Sequence, residues 1–190
     1  MQHKARKFST RARIVTSGAA LAAVGAGVAG AVSASAETPA AAPAAAVASV
    51  QGRATTTSSH LTVAAATDAA RAALKAAEKE GRRVSVAVVD RDGNTIVTLR
   101  GDGAGPQSYE SAVRKAYTAV SWNAPTSELV ERLGAAPTLK DIPGTLFLAG
   151  GAPVDQGSTP IAGVGVAGAP SGDQDEKYAR AGVAALGDGR

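Results

Sequence analysis

Two tyrosines and two cations lie within one segment, residues 108–122, that is predicted to be a helix. Tyr109 and Tyr117 are eight residues apart, which places them near one face of that helix. A phenolate oxygen can bind ferric iron, and Arg114 and Lys115 could pair with carboxylate groups of the same ligand. The alternatives are half-buried tyrosines that pack on a sheet and cations on a solvated face. The pattern therefore indicates a candidate ligand-binding helix.

His60 is the other candidate ligand by residue type, since a neutral imidazole suits iron. The chain has no cysteine and a single methionine, Met1, and its only other histidine is His3. Disulfides, zinc–thiolate sites, iron–sulfur clusters and thiol catalysis are therefore excluded. His60 stands where a predicted linker meets a predicted helix, and a solvent-exposed residue is the favoured interpretation there.

Pairs of carboxylates offer a second kind of metal chemistry. Glu128 and Glu131 are three residues apart, so one helical turn brings their oxygens together as ligands for a hard cation. Two further pairs are similar but looser: Glu78 with Glu80, two residues apart, and Asp173 with Glu176, three residues apart. A solvated helix face is the alternative interpretation for each pair, because such spacings are common by chance.

The order of predicted elements is helix, two strands, helix, short helix, three strands, helix. The predicted helices cover residues 61–80, 108–122 and 127–133, with a last one after Ser171, and the predicted strands cover residues 84–89, 95–99, 145–148, 152–154 and 160–169. The segment from Asp90 to Asn94 has turn chemistry, which predicts an antiparallel hairpin. Together the elements predict an α+β, profilin-like fold, with an antiparallel sheet of about five strands covered by helices.

Two local features are expected to shape that fold. Ser108 is a possible N-cap of its helix. The last predicted strand, residues 160–169, has the sequence PIAGVGVAGA, and its glycines allow either backbone or a ligand to approach closely.

The first 36 residues have the organisation of an export signal. A basic start without acids, an Ala/Gly/Val-rich stretch over residues 14–32 and the small residues Ala34-Ser35-Ala36 predict cleavage near Ala36 and a secreted protein. Residues 37–59 are expected to form a flexible Ala/Pro/Ser/Thr-rich linker, and residues 60–190 the folded domain.

Removal of the signal changes the charge of the chain. The full sequence has 20 Lys and Arg against 16 Asp and Glu, a net charge of +4. Five basic and no acidic residues lie within residues 1–36, which leaves 15 against 16, a net charge of −1. The basic excess therefore belongs to the signal and does not indicate a surface for nucleic acid.

Four stretches of the chain resemble the GlcG/HbpS-like family and follow the order of that family. They are VSVAVVDRDGNTIVTLRGDGAGPQSYESA, RKAYTAVSWNAPTSEL, DIPGTLFLAGGAPV and IAGVGVAGAPSGDQDEKYARAG. The resemblance covers essentially all of residues 60–186. It implies haem binding, export, a homo-oligomer, and redox or iron sensing with a membrane sensor histidine kinase.

The resemblance also implies that Thr118, in the KAYTA segment, is an unusual oxygen ligand of haem iron. A hydroxyl is a weak ligand, so haem bound through it would exchange easily. Val113, Val120, Phe147 and the strand segment Gly163–Gly168 are candidate walls for the apolar porphyrin.

Three functions are consistent with these features. The leading hypothesis is an extracellular haem-binding protein that senses haem, iron or redox state. The alternatives are a haem-degrading activity, in which the cofactor itself performs the reaction, and a module of the same family that binds a corrinoid or another small molecule. A serine hydrolase is not expected, because the chain has no G-x-S-x-G turn.

Overall fold

Four α-helices, two short 3₁₀ helices and four strands form the part of the chain described by this computed structural model, residues 52–187. The helices are α1 (Val63–Lys79), α2 (Pro106–Trp122), α3 (Thr126–Arg132) and α4 (Gly172–Gly187), and the strands are β1 (Ser85–Asp90), β2 (Thr95–Arg100), β3 (Gly151–Gln156) and β4 (Thr159–Ala167). The predicted export signal and the first part of the predicted linker, to residue 51, lie outside these residues. None of the described helices is long and apolar enough to cross a bilayer.

The strands form one antiparallel sheet in the order β2-β1-β4-β3. The predicted hairpin is confirmed, with Ser85 opposite Arg100 at its open end. The α+β fold is confirmed as well, but the sheet has four described strands rather than about five.

The prediction of a strand at residues 145–148 is wrong. The Leu146 amide donates to the Thr118 hydroxyl at 2.8 Å, and the Leu148 amide donates to the Leu146 carbonyl at 2.9 Å. The second bond closes a three-residue turn, which a straight strand cannot contain. These amides are therefore satisfied without a neighbouring strand, and the segment packs along α2.

Side chains alternate along each strand, so the two faces of the sheet carry different residues. On one face, Val86, Val88, Val164 and Val166 are fully buried against α1 and α4. The helix α1 meets them through a stripe of buried alanines: Ala66, Ala69, Ala70, Ala73 and Ala77. The other face carries smaller side chains and is covered by α2.

The glycines of β4 bring the α2 backbone directly onto the sheet. A Cβ atom on Gly165 would lie 2.1 Å from the Ala112 carbonyl oxygen, and one on Gly163 would lie 2.2 Å from the Ala116 carbonyl oxygen. Of the two possibilities for this strand, backbone or ligand, the structure shows backbone at both positions. The expectation that the segment Gly163–Gly168 forms a porphyrin wall is therefore wrong for these two glycines.

The helix α2 begins two residues earlier than predicted. Its N-cap is Gly105 and its first residue is Pro106, a position where the missing amide hydrogen of proline costs nothing. Ser108 is therefore not the N-cap. It is buried in the first turn, where its hydroxyl lies 2.6 Å from the Gly105 carbonyl oxygen and 2.8 Å from the hydroxyl of Ser85.

We expect Gly165→Ala to lower the free energy of unfolding by about 3 kcal/mol or more, because its methyl group would overlap the backbone of α2. The matched control is Gly187→Ala at the end of α4, where an added methyl group meets no atom within 4 Å. Urea denaturation of both variants measures the difference. Equal stability would mean that α2 does not depend on this close approach.

Candidate functional site

Thr118 lies in the second half of α2 and is completely buried. Its hydroxyl donates to the Arg114 carbonyl at 2.7 Å and accepts the Leu146 amide at 2.8 Å. Both hydrogen-bonding roles of the hydroxyl are thus in use within the fold. A ligand could reach this oxygen only where the segment that carries Leu146 moves away.

Lys115, the next candidate cation, is also buried, with 2% of its side chain exposed. Its ammonium group donates to the Asp175 carboxylate at 2.8 Å and to the Val166 carbonyl at 3.1 Å. The other Asp175 oxygen accepts the Ala169 amide at 2.9 Å. The residue therefore ties α2 to the end of β4 and the start of α4. A solvated charged face is the wrong interpretation for Lys115.

The ionised form of the Asp175 carboxyl group is disfavoured by burial despite these partners. Burial raises its pKa above the usual range, and the nearby Lys115 ammonium and the backbone amides only partly oppose this effect. Sequence reasoning did not identify Asp175, since its partner lies 60 residues away along the chain. The only feature of the sequence that could have indicated this ion pair is the position of Lys115, which the helical periodicity places on the side of α2 that faces the sheet.

Two clefts border the first half of α2. The larger has a volume of about 350 Å³ and is lined by Gln107, Ser108, Ser111, Lys115, Leu148, Ala167, Gly168, Ala169, Pro170, Ser171, Gly172 and Asp175. The smaller has a volume of about 200 Å³ and is lined by Gln107, Glu110, Ser111, Arg114 and Leu146. Gln107 and Ser111 belong to both, so the clefts adjoin along this helix. The larger reaches the size of ordinary small-molecule pockets.

The remaining candidates on α2 differ in exposure. Arg114 extends into solvent and pairs with Glu110 one turn before it. Tyr109 is 50% exposed, whereas Tyr117 is half-buried and lies against Gly93 in the β1–β2 turn. The two tyrosines therefore share a helix without sharing an environment, and of the two only Tyr109 offers an open phenol.

The predicted carboxylate pairs are also placed differently from one another. Glu128 and Glu131 are both exposed on α3. Glu80 accepts hydrogen bonds from Lys177 and Tyr178, which hold its pKa below the usual range, while its predicted partner Glu78 is exposed. The oxygens of that second pair are therefore not free to act together.

Glu176 has a structural role that its spacing from Asp173 did not reveal. Its oxygens accept the Ser127 amide at 2.9 Å and the Ser127 hydroxyl at 2.7 Å, so α4 caps the first turn of α3. Burial alone would raise the Glu176 pKa, but the bonds from Ser127 and Arg180 outweigh burial and lower it. We conclude that this carboxylate stabilises a helix start.

His60 is exposed before α1, in agreement with the interpretation favoured for it, and has neighbours that the sequence did not suggest. Its Nε2 atom lies 2.7 Å from the Ser58 hydroxyl and 3.7 Å from an Asp92 carboxylate oxygen. Asp90 completes the group, with one ligand atom from each of His60, Asp90 and Asp92 within 4.8 Å of the others. Among residues 52–187 this is the one cluster of three or more such residues with metal-ligand spacing.

The fold and these residues can be compared with known proteins. Residues 61–184 match the family described as "Haem degrading protein HbpS-like". A double glutamate-to-aspartate variant of Streptomyces reticuli HbpS is 74% identical, covering 76% of this chain and 99% of its own, with a TM-score of 0.73. No curated protein gives a significant match.

Two more distant structures have the same fold. The Klebsiella pneumoniae protein ORFY is 27% identical, covering 75% of this chain and all of its own, with a TM-score of 0.68. A PduOC–haem complex is 28% identical, covering 67% of this chain and 95% of its own, with a TM-score of 0.61.

We expect Lys115→Met to lower the free energy of unfolding by about 3–5 kcal/mol at neutral pH, because it leaves the Asp175 carboxylate buried without its cation. Loss of the Lys115 ammonium, which lowers the Asp175 pKa in the wild-type protein, raises that pKa further, so the variant loses more stability than wild type as the pH rises above the unfolded value near 4. The loss should therefore be larger at pH 7 than at pH 4.

Chemical denaturation at both pH values measures this effect. The control is Lys177→Met, which removes an exposed ion pair with Glu80 and should cost little. A loss that is equal at both pH values would show that Asp175 is not the source of the cost.

Proposed function

The chain belongs to the HbpS-like family of haem-degrading proteins, and from that membership we propose that it binds haem along α2. The observation that carries the proposal is the family match over residues 61–184, supported by a structural relative of 28% identity that was solved as a haem complex. Two adjoining clefts beside the first half of α2 are the region that we assign to the porphyrin.

The chemistry of this region suits haem. Leu148 is 50% exposed in the larger cleft and Leu146 lines the smaller one, which supplies apolar contact for a flat macrocycle. Arg114 extends into solvent beside them and can pair with a propionate. The charge of Lys115 is already paired with Asp175, so this buried side chain is not free to reach a propionate.

The candidate donors for iron on α2 are oxygens. Thr118, the ligand that the family resemblance implies, is covered by the segment that donates the Leu146 amide. Coordination through Thr118 therefore requires that bond to break, and the cost lowers the affinity. Tyr109 lines neither cleft but is already exposed, so it is the alternative oxygen ligand on α2 that needs no rearrangement.

Titration of the purified chain with haemin, followed by the Soret band, tests the proposal. We expect saturable binding, a weakening of about tenfold or more in Thr118→Val, and little change in Tyr109→Phe. Ser121→Ala is the matched control, because it removes an exposed hydroxyl from the same helix outside both clefts. The stability of each variant is measured alongside.

The outcomes separate the site from the function. Absence of a Soret shift in the wild-type chain contradicts haem binding and favours a corrinoid or another small molecule. Normal binding by Thr118→Val with loss in Tyr109→Phe retains haem and moves the ligand to the exposed phenol. Loss in His60→Ala alone would place the haem away from α2.

Haem degradation is the second candidate function, and the description of the family favours it. The chain would supply binding and orientation, and the reaction would be that of the bound cofactor with peroxide. Peroxide-dependent loss of the Soret band without an added reductase supports this activity. A stable band supports binding alone.

We also propose that the protein acts outside the cell, as a homo-oligomer that signals to a membrane sensor histidine kinase. The proposal of export rests on the pattern of residues 1–36. Exposed apolar side chains outside the haem region, at Val63, Val130 and Ile142, are consistent with a contact between copies, and light scattering measures the mass. The kinase partner rests on the family resemblance.

Mass spectrometry of the chain from the culture medium tests export. We expect the secreted form to begin with Glu37, because the small residues Ala34 and Ala36 fit a signal peptidase. Ala36→Asp should leave unprocessed chain with the cells, whereas Ala42→Asp in the predicted linker should not. Retention of residues 1–36 on secreted protein would contradict the proposal.

A further inference from the structure

Three potential ligand side chains meet at the β1–β2 turn, away from the clefts of α2. Asp90 ends β1, Asp92 lies in the turn, and His60 stands just before α1, 30 residues earlier in the chain. One donor atom of each lies within 4.8 Å of the others. The group therefore unites two separate parts of the chain and two kinds of donor, an imidazole nitrogen and carboxylate oxygens.

The spacing of these donors approaches that of a coordination sphere. Nitrogen and oxygen ligands about 2.0–2.2 Å from a zinc-sized ion lie about 3–3.5 Å from each other. The His60 nitrogen and the nearest Asp92 oxygen are 3.7 Å apart, which is too long for a hydrogen bond and close to the ligand–ligand distance. Both side chains are exposed, so small rotations are enough to close the remaining gap.

Of the three side chains, Asp90 is the one whose orientation is fixed by backbone hydrogen bonds. Its Oδ1 atom accepts the Asp92 amide at 2.9 Å and the Asn94 amide at 2.8 Å, so the turn itself orients this carboxylate. Two backbone amides thus hold the Asp90 carboxylate in place without an ion.

A surface ion pair is the alternative explanation for this geometry. At 3.7 Å between exposed groups such a pair contributes little to stability. The Ser58 hydroxyl, 2.7 Å away, is hydrogen-bonded to the same His60 nitrogen when no ion is bound. An ion bound to that nitrogen would replace this hydrogen bond and have the hydroxyl as a neighbouring weak oxygen donor.

We propose that His60, Asp90 and Asp92 bind one divalent transition-metal ion, with the remaining positions filled by water. One imidazole and two carboxylates suit the series from Mn²⁺ to Zn²⁺ better than Ca²⁺ or Cu⁺. Bound there, the ion links the segment before α1 to the β1–β2 turn. This site is separate from the region assigned to haem, and from the carboxylate pair on α3.

Titration of the full, haem-free chain with Zn²⁺ by calorimetry and with Co²⁺ by visible absorption tests the site. We expect one ion per chain, and a loss of affinity of about tenfold or more in both His60→Ala and Asp92→Asn. His3→Ala removes the only other histidine and should bind normally. Asp155→Asn removes another exposed aspartate near a hairpin turn and should also bind normally.

Zn²⁺ should raise the melting temperature of the wild-type chain but not that of the two site variants, because only a bound ion stabilises the fold. Circular dichroism in the absence of metal shows whether each variant is folded. The proposal is overturned if the wild-type chain binds no ion. It is also overturned if His60→Ala binds as tightly as wild type, since the ion would then be held elsewhere.

Discussion

The contact between the α2 backbone and the glycines of β4 is the constraint on which the rest of this structure depends. At Gly163 and Gly165 the sheet has no side chain, and the carbonyl groups of Ala112 and Ala116 occupy the space that a methyl group would need. A helix held this close cannot turn or slide without overlap, because protein interiors are packed at the density of organic crystals. The direction of every α2 side chain follows from this contact.

The rotation of α2 explains why neighbouring residues have such different environments. Lys115 points from α2 into the interior, where its charge needs a counter-ion. Asp175 on α4 provides that counter-ion. Thr118, one turn later, contacts the segment before β3 through Leu146. Arg114 points outwards between them. A buried ion pair of this kind fixes orientation more than it adds stability, since burial of two charges offsets most of their attraction.

Local patterns in the sequence predicted the helices, the β1–β2 hairpin and the exposure of His60, because these depend on nearby residues. The errors have a different origin. The segment from Thr145 to Leu148 is apolar enough for a strand, but the hydrogen bonds from its amides go to α2 and to a carbonyl within the segment. Lys115 is typical of a helix surface, and only the distant Asp175 makes its burial possible. No local pattern reports a partner that is 60 residues away.

The β1–β2 turn connects the two sites that we propose. Gly93 lies between Asp92 and Asn94 with a positive φ of 89°, and a Cβ atom there would lie 2.9 Å from the ring of Tyr117. The same turn therefore carries two carboxylates on its outer side and packs against α2 one residue before Thr118. An ion bound at the proposed site would hold this turn against the Tyr117 ring. Thr118, the haem ligand that the family resemblance implies, follows that ring in the chain and would have to exchange its hydrogen bond with the Leu146 amide. Metal at one end of the sheet and haem along α2 would then act on the same helix through a single aromatic contact.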